Sequence, residues 1–369
     1  MPLPETTSPT LAQSNAVQTV RVAVVIVTYR TAALAIKALR SLEQERSGGE
    51  LQLRAFVIDN DSGDFPAIAS AIEANCWSGW ASVHAAPRNG GFAYGNNLGF
   101  ELAFREGRPE YLYLLNPDAQ VRHGAIRTLV QFMQSHLQVG IAGSGFENED
   151  GSEWPIAFRF PSLMSEINSG LQFGPVSRLL HRWVVARVMT PVSQPVDWIS
   201  GASMLIRADV IASVGGLDEN YFLYFEETDF CFRARRAGFP TWYVPASRVM
   251  HISGQSTSVT TRNAKARRLP AYWFESRRRY FAATYGVPLA VVIDLVAVAA
   301  YSLGVVKNAL LARRAQSVPH FVRDLLRHSI LWRANRKLPP ACCFKPPQAP
   351  TSDAAAHWNA PLSSSGGAT

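Results

Sequence analysis

Three acidic side chains fall within four residues of one another. Glu226, Glu227 and Asp229 follow the aromatic run Tyr-Phe-Leu-Tyr-Phe at 221–225. Acids in the first turn of a helix are common, because the helix macrodipole favours negative charge there. That accounts for one or two of the three, whereas carboxylates crowded against apolar neighbours have raised pKa values and act as general bases or cation ligands. The segment therefore predicts proton-transfer or cation-binding chemistry beside a substrate site.

Two further side chains suit the same chemistry. Asp118 follows Asn116 and Pro117, and His251 ends a later strand-like run. Taken alone, the aspartate suits a helix cap and the histidine a structural role. Divalent cations that bind substrate phosphates, however, often use only one or two protein carboxylates and keep water ligands. Asp118, with His251 to complete the coordination or to contact a phosphate, is therefore a candidate metal site.

The elements that must position these residues alternate between strands and helices. Short apolar runs rich in β-branched residues predict buried strands, with helical patterns between them, at 21–27, 51–58, 81–85 and 111–115. This alternation predicts βαβ units in an open parallel sheet, which binds ligands at the carboxyl ends of its strands. One helix is predicted from Leu98 to Glu106, and another carries the acidic cluster and stops at Gly238.

Polar or small residues follow each predicted strand, and they are Thr28, Tyr29 and Arg30, then Asp59 and Asn60, then Asn89, Gly90 and Gly91, then Asn116 and Asp118. Four such ends in a row indicate a nucleotide-sized ligand better than any single one does. Asp59 can accept hydrogen bonds from a base or ribose, and Gly91 lets the backbone approach a ligand closely. Asn97, near the start of the next helix, can hydrogen-bond the same ligand.

Trp198 precedes small residues at 200–203. An indole in that setting suits a wall against which a sugar stacks. A core tryptophan beside a tight turn explains the pattern equally well, so both interpretations stay open at this point.

The composition is that of a globular protein with a substantial core, because 47% of the 369 residues are apolar and 17% charged. The four cysteines form no spaced pairs, so neither a zinc site nor a disulfide framework is indicated. Residues 1–19 lack the basic start and apolar core of a signal peptide and are expected to form a flexible arm.

The net charge of +8 is concentrated between residues 262 and 337, where 15 Lys and Arg stand against 3 Asp and Glu. No nucleic-acid-binding motif is present, so no nucleic-acid partner is expected. Residues 287–306 carry a single charge, Asp294, and are long enough to span a bilayer. A helix on the inner leaflet is the first interpretation, a transmembrane helix the second and a core helix the third. Arg277, Arg278 and Arg279 suit either acceptor phosphates or a solvated face.

With these residues assembled, the chain resembles glycosyltransferases of family 2 with the GT-A fold, and within them the bacterial rhamnosyltransferase-like branch. The resembling segments lie between Arg21 and Gln255, with a weaker echo at 275–286, and they are 24–30, 57–64, 89–97, 114–118, 198–207 and 215–251. The resemblance implies an α/β fold with an open mixed, mostly parallel, Rossmann-like sheet. The expected organisation is a catalytic domain at 20–255, a basic helical region at 256–338 and a disordered tail at 339–369.

The resemblance also implies roles for individual residues. Glu227 is the expected base, while Trp198, Glu226 and Asp229 align the acceptor and sugar. Asp118 and His251 are the expected ligands of Mg²⁺ or Mn²⁺, and the residues expected to bind the nucleotide-sugar are Thr28, Tyr29, Arg30, Asp59, Asn89, Gly91, Asn97, Asn116 and Asp118. Two departures stand out, because Asn116 replaces the first aspartate of the family's Asp-x-Asp motif and a glutamate stands where the base is usually an aspartate.

The function implied is inverting transfer of a sugar, with L-rhamnose from dTDP-L-rhamnose as the first choice. The acceptor is expected to be a hydroxyl of a glycan or of a polyprenyl-diphosphate-linked sugar, at the cytoplasmic face of the cell membrane. The alternatives are the same chemistry with a UDP-sugar, or a catalytically silent nucleotide-sugar-binding protein. A nucleotidyltransferase is disfavoured, because no glycine-rich phosphate loop follows the first strand.

Overall fold

The computed structural model describes residues 19–46, 49–252, 267–311, 318–332, 336–347 and 358. The predicted arm, except for Thr19, and the predicted domain boundary at 255 lie outside the described residues. The strands are β1 (Val20–Thr28), β2 (Leu51–Asp59), β3 (Ala81–Ala85), β4 (Tyr111–Leu115), β5 (Ala119–Val121), β6 (Ile141–Glu147), β7 (Glu153–Trp154), β8 (Ile156–Phe158), β9 (Ala186–Val188), β10 (Gln194–Val196), β11 (Ser203–Arg207) and β12 (Thr241–His251).

The helices are α1 (Ala32–Arg46), α2 (Phe65–Ala74), α3 (Gly91–Arg105), α4 (Ala125–Ser135), α5 (Leu163–Leu171), α6 (Gly174–Leu179), α7 (Ala208–Val214), α8 (Glu226–Arg236), α9 (Ala271–Tyr285), α10 (Val287–Leu310) and α11 (Phe321–His328). A single 3-10 turn, His181–Trp183, follows α6.

One mixed sheet forms the centre of the molecule, with its main strands in the order β10-β12-β6-β11-β4-β1-β2-β3. Strands β3, β2, β1 and β4 are parallel, as are β6 and β12. Between these two parallel groups runs β11, antiparallel to both of its neighbours. The open mixed sheet of the predicted fold class is therefore confirmed.

The apolar runs form strands that are buried on both faces of the sheet. Val22, Val24 and Ile26 of β1 pack into the core on one face, while the alternate residues Ala23 and Val25 pack into the core on the other. This two-sided burial explains why the sequence of β1 is continuously apolar rather than alternating.

Helix α3 differs from the prediction, because it begins at Gly91 rather than at Leu98. Gly95 and Gly99 lie against the side chains of Val27 and Val25, where a Cβ on either glycine would overlap valine methyl groups. Glycine is therefore required for the helix to approach β1 closely. The same glycines weaken the helical pattern in the sequence.

Two arginines of the run at 277–279 lie inside the protein, so both interpretations were wrong for Arg277 and Arg279, while Arg278 is half-buried. Arg277 is buried and bonds Asp294 of α10 at 2.5 Å and Glu166 of α5 at 2.7 Å. Arg279 is also buried and bonds Asp218. These arginines join helices and loops to one another and are not available to acceptor phosphates.

Helix α10 has the reverse of the usual surface pattern. Apart from Ile293, its buried residues are small or polar and include Asp294, Gly304 and Asn308. Every exposed residue on it is apolar, and they are Pro288, Leu289, Val292, Leu295, Ala299, Leu303, Val305, Val306, Ala309 and Leu310. By length and composition this is the one helix in the described chain able to cross a membrane, and about a third of its apolar window is buried.

The chain after Pro339 differs from the predicted disordered tail over its first residues. Gly216 donates its amide hydrogen to Phe344 O at 2.7 Å, and Glu219 donates to Cys342 O at 2.8 Å. Phe344 packs on Phe104 of α3. Residues 339–347 thus pack against the segment that leads into α8.

Candidate functional site

Thr28 lies at the carboxyl end of β1, beside an aspartate that the sequence reasoning overlooked. The Thr28 hydroxyl donates to Asp64 Oδ2 at 2.7 Å, and the Thr31 amide donates to the same oxygen at 2.8 Å. Tyr29 is half-buried, and the exposed Arg30 stacks over its ring at 5.2 Å. Tyr29 and Arg30 therefore lie at the protein surface, just after the carboxyl end of β1. Asp64 could have been found from the acid-rich run 59–64.

Asp59 ends β2 and is almost fully buried. Its Oδ1 accepts from the amide and hydroxyl of Ser62 at 3.0 and 2.6 Å, and its Oδ2 accepts from the Phe65 amide at 3.0 Å. The carboxylate thus holds the turn into α2 and retains one acceptor position on Oδ2. A base or ribose contact at Asp59 must use that remaining position.

Asn60 is a second residue that the sequence reasoning did not single out. Its amide nitrogen donates to Asn89 Oδ1 at 3.0 Å and to Gly91 O at 3.1 Å. Gly91 has φ +85°, its Cβ would overlap Phe222 O, and the Phe92 amide donates to that same oxygen at 2.9 Å. The loop at 89–92 is therefore fixed between the end of β2 and the loop before α8.

Asn97 bonds the protein itself. Its amide nitrogen donates to Leu217 O and to Glu219 Oε1, each at 2.8 Å, and its oxygen accepts from the Leu217 amide at 3.0 Å. These contacts hold α3 against the loop at 217–219. A direct contact of Asn97 with a donor stays a prediction, and the structure gives this side chain a positioning role.

Asp118 and His251 lie together although 133 residues separate them in the chain. His251 Nε2 is 3.3 Å from Asp118 Oδ1, because β5 pairs with the end of β12 and sets Ala119 opposite His251. Both side chains are buried, and His251 Nδ1 has no hydrogen-bond partner among the described residues. The two predicted metal ligands thus converge.

A divalent cation fits this pair by the chemistry of its donor atoms. A carboxylate and an imidazole supply oxygen and nitrogen ligands, and the unpartnered nitrogen of His251 leaves one ring position unused. Within the described residues no third His, Cys, Asp or Glu completes a cluster. Mg²⁺ or Mn²⁺ here would take its remaining ligands from a substrate diphosphate and from water.

Trp198 is half-buried and stacks on Phe158, with ring centroids 4.1 Å apart and planes 14° from parallel. Its indole nitrogen donates to Arg159 O at 2.9 Å. One face of the indole is therefore covered. A sugar can stack only on the other face, and the role of Trp198 as a sugar wall stays a prediction.

Glu227 lies in the first turn of α8, as the sequence predicted, and is half-buried. Burial raises the pKa of its carboxyl, and hydrogen bonds from its own amide, the Gly201 amide and Glu226 partly offset the rise. Gly201 is three residues from Trp198, and the neighbouring Ala202 carbonyl accepts from the Asn116 amide at 3.3 Å. The turn at 198–202 therefore connects the candidate base to the candidate metal site.

Glu226 differs from Glu227, because only 2% of it is exposed. Burial, together with the neighbouring charge of Glu227, raises the pKa of Glu226 well above the usual glutamate value. The protonated form is therefore favoured, and its carboxyl can donate to Glu227. Glu226 offers almost no surface to a substrate, so its influence on the site runs through Glu227.

Asp229 is also buried and bound within the protein. Its Oδ2 accepts from Arg233 Nε at 2.7 Å, and Arg233 also donates to Val214 O and Gly216 O. Burial raises the pKa of Asp229, and Arg233 opposes the rise. The side chain thus holds the position of α8, and its predicted alignment of substrates stays untested.

The loop before α8 is strained. Tyr224 and Phe225 have φ values of +70° and +69°, a left-handed conformation that is costly for large side chains. Helix α9 supports them, because Ser276 donates to Leu223 O at 3.1 Å and Tyr280 packs on Phe225 at 5.5 Å. These contacts from α9 therefore fix the orientation of the first turn of α8.

A cavity of about 440 Å³ lies away from these residues. It is lined at the opposite edge of the sheet by Arg21, Glu110 and Tyr111, and Arg21 and Glu110 are paired with each other at 2.7 Å. The candidate site lies instead at the carboxyl ends of β1, β2 and β4.

The glycosyltransferase-like family 2 model matches residues 20–271 of the chain. An N-acetylglucosaminyl-diphospho-decaprenol L-rhamnosyltransferase of Mycobacterium tuberculosis is 33% identical over 165 residues, which are 42% of this chain and 52% of that protein. Rhamnosyltransferase WbbL of Escherichia coli K12 is 27% identical over 166 residues, 44% of this chain and 61% of that protein. The chain thus spans about half the length of the first of these relatives.

Among solved structures, GalNAc-T7 crystallised with UDP, GalNAc and Mn²⁺ superposes with a TM-score of 0.50. The match covers 72% of this chain and 50% of that chain, at 14% sequence identity. At this identity the likeness concerns the fold alone, and it agrees with the predicted GT-A architecture.

Proposed function

Because the chain belongs to glycosyltransferase-like family 2, we propose that it transfers a sugar from a nucleotide-sugar to an acceptor hydroxyl with inversion of configuration. The observation that carries the proposal is the pairing of Asp118 with His251, together with the turn at 198–202, which bonds the Asn116 amide through Ala202 and Glu227 through Gly201. L-Rhamnose from dTDP-L-rhamnose is the first-choice donor, because the relatives named above are rhamnosyltransferases.

The chemistry is a single displacement at the anomeric carbon. The acceptor oxygen forms the new bond to that carbon, the bond to the diphosphate oxygen breaks, and the departing diphosphate keeps the electron pair. Glu227 takes the acceptor's proton, and its raised pKa makes it a stronger base than an ordinary glutamate. Glu226, favoured in its protonated form, donates a hydrogen bond that orients the Glu227 carboxylate.

Asp118 and His251 are the residues that would hold Mg²⁺ or Mn²⁺. A bound divalent cation neutralises charge on a departing diphosphate. The two protein ligands are buried and adjacent, which suits a cation that shares its coordination sphere with substrate phosphates. Asn116 keeps its place beside them and can donate hydrogen bonds where the family has a carboxylate.

The donor nucleotide is assigned to the ends of β1 and β2. Tyr29 and Arg30 are at the surface there, and Asp59 retains an acceptor position for a base or ribose. Thr28 and Asn89 hold the shape of this pocket through Asp64 and Asn60. Gly91 allows the loop at 89–92 to pass close to Phe222.

The acceptor is assigned to a glycan or a polyprenyl-diphosphate-linked sugar at the cytoplasmic face of the membrane. The reversed pattern of α10, with apolar residues outward and polar residues inward, is unfavourable in water and favourable against lipid. Lys307 bonds Leu171 of the catalytic domain near the end of this helix, and Asp294 is joined to Glu166 of the same domain through Arg277. A helix held along the domain in this way lies on the bilayer rather than crossing it.

A donor screen tests the proposal. The purified chain is incubated with dTDP-L-rhamnose, UDP-galactofuranose, UDP-GlcNAc or UDP-glucose, with Mg²⁺ or Mn²⁺ and a membrane lipid extract, and nucleoside diphosphate release is followed. We expect metal-dependent release from one donor, with loss of that release in Glu227→Gln. Tight donor binding without release, unchanged in Glu227→Gln, would instead favour a silent binding protein, the candidate that the departures at Asn116 and Glu227 support.

A further inference from the structure

A second exposed apolar segment lies outside α10. Phe173, Leu179 and Trp183 are 46%, 75% and 41% exposed. Phe173 immediately precedes α6, Leu179 ends it, and Trp183 lies on the 3-10 turn that follows. Large apolar side chains clustered at the surface mark a contact with another apolar phase. These three side chains are not among the residues of the candidate site.

This segment begins where α10 ends. Lys307 Nζ donates to Leu171 O at 2.7 Å and lies 5.8 Å from the centroid of the Phe173 ring. Gly304 packs so closely on Gly170 that a Cβ on it would overlap the Gly170 carbonyl oxygen. Residues 173–183 therefore follow directly on the segment 170–172 that contacts the last turns of α10, and Leu303, Val306 and Leu310 are exposed on those turns.

The charges around this surface have one sign. Between residues 167 and 196 the chain has no Asp or Glu, whereas Arg178, His181 and Arg182 are exposed. The one acid of α10, Asp294, is buried against Arg277. An apolar patch with exposed arginines and no exposed acid complements a bilayer with anionic headgroups, since the apolar side chains enter the acyl boundary while the arginines meet phosphates.

We propose that residues 173–183 and the outward face of α10 form one docking surface for a bilayer that contains anionic phospholipid. This deepens the proposed function, on which it rests in placing the acceptor in the same bilayer. A helix alone lets the domain roll about the helix axis. A second contact beside the end of α10 fixes which side of the domain faces the lipid.

The docking surface is connected to the candidate acceptor wall. Arg159 Nη1 donates to Val184 O at 3.0 Å, one residue after Trp183, and the Arg159 carbonyl accepts from Trp198 Nε1 at 2.9 Å. Only two hydrogen bonds therefore separate the lipid-facing segment from the indole assigned to the sugar. An acceptor anchored in that bilayer would present its sugar beside Trp198.

Vesicle cosedimentation of the full chain tests the surface. Vesicles of phosphatidylcholine with phosphatidylglycerol are compared with pure phosphatidylcholine, using wild type and the double variant Leu179→Glu/Trp183→Glu. We expect the apparent affinity for the mixed vesicles to fall at least about tenfold in the double variant. Leu137→Glu is the matched control, because Leu137 is 77% exposed but lies between α4 and β6, and it should bind as wild type does.

The charge variant Arg178→Glu/Arg182→Glu separates the two components of binding. It should reduce binding to the mixed vesicles and leave the weaker binding to pure phosphatidylcholine unchanged. Circular dichroism of each variant establishes that it is folded. Wild-type affinity in the Leu179→Glu/Trp183→Glu variant would overturn the proposal, as would a stable dimer in light scattering that buries this surface and binds no vesicles.

Failure of the docking surface and failure of the proposed function give different results. If vesicles bind at this surface but no donor releases its nucleoside diphosphate, the docking surface stands and the function fails. If donor turnover occurs while the Leu179→Glu/Trp183→Glu variant binds vesicles as wild type does, the function stands and the docking surface fails.

Discussion

Glutamine substitutions at two adjacent glutamates should reduce activity by very different amounts. Glu227→Gln removes the candidate base, and general-base catalysis contributes about 10²–10⁴-fold to a rate. We therefore expect kcat to fall about 10³-fold, equivalent to ~4 kcal/mol of activation free energy, with little change in donor KM. Glu226→Gln should cost less than about tenfold, because the protonated form favoured at Glu226 is neutral and a glutamine amide can make the same donation to Glu227.

The assay is nucleoside diphosphate release across a range of pH. Burial raises the pKa of Glu227, so wild-type kcat/KM should decline with unit slope as pH falls through that raised value, which lies above the ordinary 4.5 of a glutamate. Glu226→Gln should keep this acidic limb, whereas the residual activity of Glu227→Gln should lack it. A severe loss in Glu226→Gln, together with near-normal turnover and an intact acidic limb in Glu227→Gln, would show that the base has been assigned to the wrong carboxylate.

Four further outcomes follow from the same geometry. Gly91→Ala should lower the free energy of unfolding, measured by urea titration, by more than about 3 kcal/mol, because the alanine Cβ would overlap Phe222 O. Gly63 has the same φ of +85° but open space around it, so Gly63→Ala should lower the free energy of unfolding by only about 1 kcal/mol. Asp118→Asn should weaken Mn²⁺ binding at least about tenfold in calorimetry with nucleoside diphosphate present, and unchanged affinity would remove it as a ligand. Arg277→Ala should destabilise the fold by about 3–5 kcal/mol, since it leaves Asp294 and Glu166 buried without their partner. Because the pKa of Glu226 is raised in the folded state, its contribution to stability is full below pH 4.5 and is lost as the pH rises through the pKa of the folded state. Glu226→Gln should therefore raise the melting temperature at pH 8 but not at pH 4. An equal effect at both pH values would contradict the raised pKa.

The sheet could be predicted from sequence because its strands are buried on both faces. Two-sided burial makes β1 continuously apolar, and the polar residues after each strand then fall at the ligand-binding edge. The joint role of Asp118 and His251 was predicted from their residue types and positions after strand-like runs, and from the family resemblance. Nothing local in the sequence indicates that β5 and β12 pair.

Long-range contacts account for what the sequence concealed. The early turns of α3 contain glycines because β1 packs closely against them. Glycine has a low helix propensity, so the sequence predicts this part of the helix poorly. The pairing of Gly216 with Phe344 joins residues far apart in the chain, so a segment rich in proline and alanine was wrongly expected to be disordered from residue 339. Asn60 and Asp64 lay inside a recognised motif, but their partners at Asn89 and Thr28 become visible only in the folded sheet.

Helix α9 shows why an arginine run is a poor guide to a surface. Ser276 and Arg279, three residues apart, share one side of the helix, Arg277 lies on another, and the three side chains hold three different parts of the protein. They bond the Leu223 carbonyl in the strained loop before α8, the carboxylates of α5 and α10, and Asp218. The proposed bilayer surface and the loop that leads into α8 are therefore both attached to α9. We infer that these buried contacts of Ser276, Arg277 and Arg279, rather than contact with acceptor phosphates, fix the position of Glu227 relative to the proposed bilayer surface.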